Sequence, residues 1–219
     1  MLAIKMNKKI TILLFLLPFF TSAQVVSDAQ QWTNFSVNKK INNFEFSLGE
    51  EIRFDENISH IGKIFTELSA EYKITKGFYA SLAYRFSREN DYETINYDMT
   101  HRVDVGLKYK LELDKFKFGI KSKIQIKKDL PHENNPTFSR SELSVSYSFD
   151  NKLSPFISYE FYYQFNDQHV INKTRFSLGS KYAINDKNAI QVYYLFENKF
   201  NVKNLQHNHI FGVSYSIDI

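Results

Sequence analysis

Asp98, His101 and Asp104 lie three residues apart, and His207 and His209 two apart. An imidazole flanked by carboxylates has the composition of a general base and the acid that orients it, so His101 with Asp98 or Asp104 is a place to look for proton transfer. His207 and His209 would share one strand face, which suits a metal ion only if carboxylates converge from elsewhere. The ordinary reading of all three is a solvated imidazole near a loop. Lys117, Lys121, Lys123 and Lys127 cluster in one short stretch. They would give a local preference for anions, or serve as partners for nearby acids. The chain has no cysteine, which excludes a disulfide scaffold, a lipid-modified Cys anchor and thiolate metal sites. Nothing matches a phosphate loop, a dinucleotide fingerprint or a zinc motif, so neither a metal nor a cofactor is expected.

The elements that must position these groups are strands. Aromatic residues make up 16% of the 219 residues, with 21 Phe and 14 Tyr, and such side chains suit a pleated surface with one apolar face. From Phe44 onward the pattern has a period of two. Phe44, Phe46, Leu48 and Ile52 alternate with Glu45, Ser47, Gly49, Glu51 and Arg53. Leu68, Ala70, Tyr72 and Ile74 oppose Glu67, Ser69, Glu71 and Lys73, and Phe78 to Phe86 follow after a turn at Thr75-Lys76-Gly77. Val103, Val105 and Leu107 oppose Arg102 and Asp104; Phe118, Ile120 and Ile124 oppose Lys117, Lys121 and Lys123. The same alternation runs through Leu143 to Phe149, Ile157 to Phe165, Phe176 to Tyr182, Ile190 to Phe196 and Phe211 to Ile219. These runs are longer than ordinary sandwich strands, and their apolar faces are repeatedly aromatic, as expected of a lipid-facing band.

The first residues, MLAIKMNKKITILLFLLPFFTSAQ, carry three lysines, an apolar core and small residues before Gln24. They read as a signal peptide, residues 1–23. Removing its three lysines, with no acids beside them, turns the formal +4 into +1, so the pI of 9.0 is no nucleic-acid footprint. The mean hydropathy of -0.39 and the lack of a second long apolar run exclude a bundle of spanning helices. An exported chain of this kind is therefore a soluble sandwich or a membrane barrel, and the strand length and aromatic faces favour the barrel.

Short turns near Lys76, Leu113, Asp150 and Asn185 alternate with longer polar loops near Glu56, Asp91, Asn134, Gln168 and Lys203. Periplasmic turns and outer loops differ in this way. The expectation is an all-β, antiparallel transmembrane β-barrel of about ten strands over residues 43–219. Residues 24–42, which include QWTNFSVN, are read as an N-terminal lead-in segment, with twelve strands as the alternative. The terminal HIFGVSYSIDI is expected to be a closing strand paired with the first one. It resembles the C-terminal signature by which outer-membrane proteins are recognised for assembly, with Ile219 in place of the usual aromatic.

The early QW, the hairpin FEFSLGEEIRF and the blocks HRVDVGLKYK, SPFISYEFYYQF and TRFSLGSKYAINDKNAIQVYYLF resemble the outer-membrane family called domain of unknown function 2490. That resemblance covers nearly all of the mature chain and implies no established activity.

With apolar faces toward lipid, the lumen receives Glu67, Glu71, Arg85, Arg102, Asp104, Lys121, Lys123, Arg140, Glu142, Glu160, Arg175 and Glu197. Both signs are present, so pairing across a narrow interior is expected, because unpaired buried charge is costly. The expected protein is a monomer in the outer membrane of a Gram-negative bacterium. Its partners are outer-membrane lipid and the barrel-assembly machinery, not nucleic acid. Its role is structural or small-solute passage; a lipid- or peptide-acting enzyme, or ligand recognition and adhesion through the outer loops, is the alternative.

Overall fold

The computed structural model describes residues 25–92, 96–130, 136–166, 169–202 and 205–219. The signal peptide lies outside the described residues. Among them the chain forms eleven strands: β1 (Val26–Ile41), β2 (Phe44–Asp55), β3 (His60–Thr75), β4 (Phe78–Asp91), β5 (Asn96–Leu113), β6 (Phe116–Leu130), β7 (Thr137–Tyr147), β8 (Leu153–Gln164), β9 (Ile171–Ala183), β10 (Asn188–Lys199) and β11 (Gln206–Asp218). Each pairs with its sequence neighbour, and β1 pairs with β11 to close the barrel.

The barrel is all-β and its meander antiparallel, in agreement with the sequence pattern. The last strand pairs with the first as expected, but the strand count and the direction of that closing pair differ from expectation. Within residues 24–42, read as a lead-in, Val26–Ile41 form β1, so the count is eleven, between the ten and the twelve expected. An antiparallel meander of eleven strands begins and ends with strands pointing the same way, so its seam must be parallel. That seam runs from Val26 opposite Gln206 to Asn38 opposite Asp218. The last residue is held in it, with the Ile219 amide donating to the Asn38 carbonyl at 2.9 Å.

The pattern missed β1 for a physical reason. Its outward positions begin Ser27, Ala29, Gln31 and Thr33, and only then reach Phe35 and Val37. Half of that face lacks the apolar signal that marks every other strand.

Elsewhere the two faces have the polarity of a membrane barrel. Leu68 is 56% exposed, Val105 57% and Ile120 56%, whereas Glu160 is 7% exposed and Glu197 3%. Apolar side chains facing out and charges facing in reverse the order of a soluble domain, and make the outer surface compatible with lipid. No helix among the described residues is long and apolar enough to cross a membrane.

Two-residue turns close β1–β2, β3–β4 and β5–β6, and Asn42, Gly77 and Asp114 take positive φ of 54°, 81° and 52° in them. At Gly77 a Cβ would lie 2.5 Å from the Lys110 carbonyl oxygen. The turns at this end span two to five residues and the connections at the other span four to six. The expected asymmetry is there, but slight. Outside the strands, Lys115 and Asp150 join two turns at 2.9 Å, and that hydrogen bond raises the Lys115 ammonium above its ordinary value.

The seam gives a direct test, made clean by the absence of native cysteine. Asn34→Cys with Ser214→Cys, which face each other in the register, should form a crosslink on mild oxidation of the folded barrel. Non-reducing electrophoresis reads it. Failure to crosslink, with efficient crosslinking of β11 to β2 instead, would mean that β1 lies outside the barrel.

Candidate functional site

All twelve charges expected in the lumen lie on the inward faces, where alternation places them. Their pairing follows the register. Glu67 faces Arg85 across β3 and β4, and its carboxylate accepts from Arg85 at 2.6 Å and Arg102 at 3.1 Å. Asp104 is held by Arg102 at 2.9 Å and Lys123 at 2.8 Å. Glu71 pairs with Lys108, and Lys121 stands opposite Glu142. Arg140 binds Glu160 at 2.8 Å, Arg175 lies 3.7 Å from the same carboxylate, and Arg175 binds Glu197 at 2.7 Å. The last four residues form a continuous chain of alternating charge over β7, β8, β9 and β10.

Aromatic rings extend that chain around the interior. Arg53 lies 3.6 Å over the Trp32 ring and 5.1 Å over Phe65, and Arg85 lies 3.5 Å over Phe65. Arg175 is 5.2 Å from Trp32 and 5.1 Å from Tyr162, and Arg140 is 4.5 Å from Tyr162. Guanidinium and aromatic faces therefore alternate across β3, β2, β1, β9, β8 and β7. Such stacks attract more strongly where water is excluded. Trp32, Leu195 and Ile210 fill the gap between β1 and β10, with Tyr193 against them. The Tyr193 ring lies across Gly212, where a Cβ would be 1.9 Å from Cζ; only glycine leaves room for that ring.

These side chains form a septum. Toward the short turns lies a cavity of about 600 Å³ lined largely by serines, among them Ser144, Ser158, Ser177 and Ser214. Toward the longer loops lies a vestibule of about 490 Å³ with ten basic and three acidic side chains in its wall. Arg140 and Arg175 line both, so the two spaces meet at these guanidinium groups. At the outer rim Tyr92 donates to Asp55, and burial together with that carboxylate pushes the Tyr92 hydroxyl well above its ordinary value.

The histidines face the other way. Inward positions on β5 are even-numbered, so Asp98 and Asp104 point into the barrel and His101 points out. Its Nδ1 meets the Tyr84 hydroxyl at 2.7 Å. His209 likewise meets Tyr194 at 2.7 Å and packs on Phe196. The structure does not bring His101 together with either acid, and no group of three or more metal-ligating side chains occurs among the described residues.

The family described as protein of unknown function (DUF2490) matches residues 29–208. The chain belongs to this family. No curated protein sequence matches it. Among solved structures, this DUF2490 barrel is similar to the beta domain of the Bordetella autotransporter BrkA at 12% identity and a TM-score of 0.47, over 73% of this chain and 79% of that one. It is also similar to an anion-selective porin from Comamonas acidovorans at 12% identity and a TM-score of 0.40, over 79% of this chain and 52% of the porin.

Sequence reasoning missed part of the DUF2490 septum. Trp32 was hidden with β1, while Arg53 and Tyr162 stood on faces already read as inward without being singled out. Lys63, Glu89 and Lys173 continue those inward faces toward the outer loops, and counting by two beyond the apolar run would have reached them.

The burial of the chain of charges sets a measurable cost. Arg175→Ala leaves Glu197 and Glu160 short of a partner and should destabilise the folded barrel by about 3–5 kcal/mol. Lys117→Ala, which breaks an exposed pair with Glu112 at 3.8 Å, should change it by less than about 1 kcal/mol. Urea unfolding of the refolded chain in detergent compares the two, and equal effects would refute the ranking.

Proposed function

We propose that the protein is an outer-membrane barrel for passage of small hydrophilic solutes, closed at rest by the lumenal septum. The observation that supports this reading is the pair of polar cavities, one reached from each end, separated by one layer of side chains around Arg140 and Arg175. A scaffold needs no such spaces, since apolar packing of similar volume would stabilise it as well or better. The reading includes export by the N-terminal signal peptide and recognition of β11 by the assembly machinery. It also takes the barrel to be a monomer, with short turns toward the periplasm.

Planar-bilayer recording of the refolded chain tests it, with heat-modified electrophoretic mobility to establish folding. The native chain should conduct little. Tyr162→Ala removes the ring between Arg140 and Arg175, and Arg175→Gln with Glu197→Gln removes two opposite charges together; each should raise conductance several-fold. Variants that fold and still do not conduct would leave a scaffold and overturn the proposal.

A further inference from the structure

We propose that the wall of the outer vestibule formed by β8, β9, β10 and β11 is a binding site for a small, multiply charged oxyanion. The key feature is a surplus of positive charge: Lys173, Lys199 and Arg175 share the single carboxylate of Glu197. Lys173 and Lys199 stand directly opposite each other on β9 and β10, and like charges so placed repel. The carboxylate between them, Glu197, is already committed. One oxygen accepts two bonds from Arg175, at 2.7 and 2.8 Å, and the other accepts from the Asn208 amide at 2.9 Å. The two ammonium groups are left with longer ion pairs to it, at 3.6 and 3.8 Å. Lys199 instead donates to the neutral Gln206 amide at 2.7 Å, and Lys173 lies 4.1 Å over the Tyr162 ring.

Two buried polar atoms on the same wall lack a hydrogen-bond partner, the Tyr162 hydroxyl and Asn208 Oδ1. A donor and an acceptor suit an oxyanion that also carries a hydroxyl, such as a protonated phosphate or a hydroxy acid. The local backbone is shaped for this. An extra residue, Asn172, is inserted opposite Tyr162 and Tyr163; its side chain donates to Gln164 at 2.8 Å, beside Lys173. Bulges of this kind re-aim side chains next to sites. Asp91 and Asp98 stand at inward positions of β4 and β5, strands that do not pair with this wall. Among the described residues the acids beside this wall are Asp28, which stands opposite Asn208 and accepts from the Gln30 side chain and the Asn57 amide at 2.8 Å each, and Glu160, whose carboxylate Arg140 and Arg175 already hold. The site goes beyond the proposed passage, because a barrel that never conducts would still bind.

Titration calorimetry of the refolded chain in zwitterionic detergent at low salt tests the site, with pyrophosphate, citrate and neutral maltose as probes. Pyrophosphate, citrate or both should bind and maltose should not. Binding of one alone identifies phosphate or carboxylate as the recognised group. Lys173→Gln and Lys199→Gln should each weaken binding at least about tenfold, while a Lys117→Gln control stays like the native chain. Because each Gln variant relieves repulsion, it should unfold at or above the native temperature without anion and lose the rise that the anion gives the native chain. Folded protein that binds neither anion, or variants that bind as tightly as the native chain, would overturn the proposal.

Discussion

A backbone amide or carbonyl facing lipid has no water to bond, and each orphan costs several kcal/mol. Every strand of this chain therefore has to be paired on both edges, and that requirement decides most of the structure. With eleven strands in an antiparallel meander, the two edges left over run in the same direction. The parallel ladder between β1 and β11 is the only pairing that leaves no edge open. Once the cylinder is closed, the two faces of each strand become lipid face and lumen face, and every second side chain is committed to one or the other.

The lumen inherits the consequence. Charged side chains that alternation sends inward enter a space too narrow to solvate them fully, and each needs an opposite charge or an aromatic face within reach. Neighbouring strands supply these: Arg85 stands opposite Glu67 and Arg175 opposite Glu197 in the register, and Arg140 reaches Glu160 on the diagonal. Where four strands bring Arg53, Arg85, Arg140 and Arg175 inward, Trp32, Phe65 and Tyr162 fill the spaces between them. The septum thus follows from packing charge in a closed ring, and the vestibules are what remains above and below it.

Much of this was legible in the sequence, since a period of two separates faces whatever the tertiary arrangement. All twelve charges named from alternation alone are on the inward face. Histidine could not be read the same way. His101 and Asp104 are three residues apart, and an odd offset on a strand puts two side chains on opposite sides of the wall. The first strand was illegible because Gln31 and Thr33 occupy lipid-facing positions. The direction of the seam was out of reach as well, because it depends on the parity of the strand count and one weakly patterned strand changes it. The facing pair Lys173 and Lys199, which share one carboxylate with Arg175, needed the register of β9 against β10, which turn lengths alone do not fix.

One septum divides the lumen into an outer and an inner space. Its most direct test uses the cysteine-free background: Gln30→Cys in the outer vestibule and Ser158→Cys in the inner cavity, each challenged on intact cells with a membrane-impermeant thiol reagent. A closed septum should give labelling at position 30 and protection at position 158, with both labelled once the cells are broken. Equal labelling of both positions on intact cells would mean an open lumen, and labelling of position 158 alone an inverted barrel; either contradicts it.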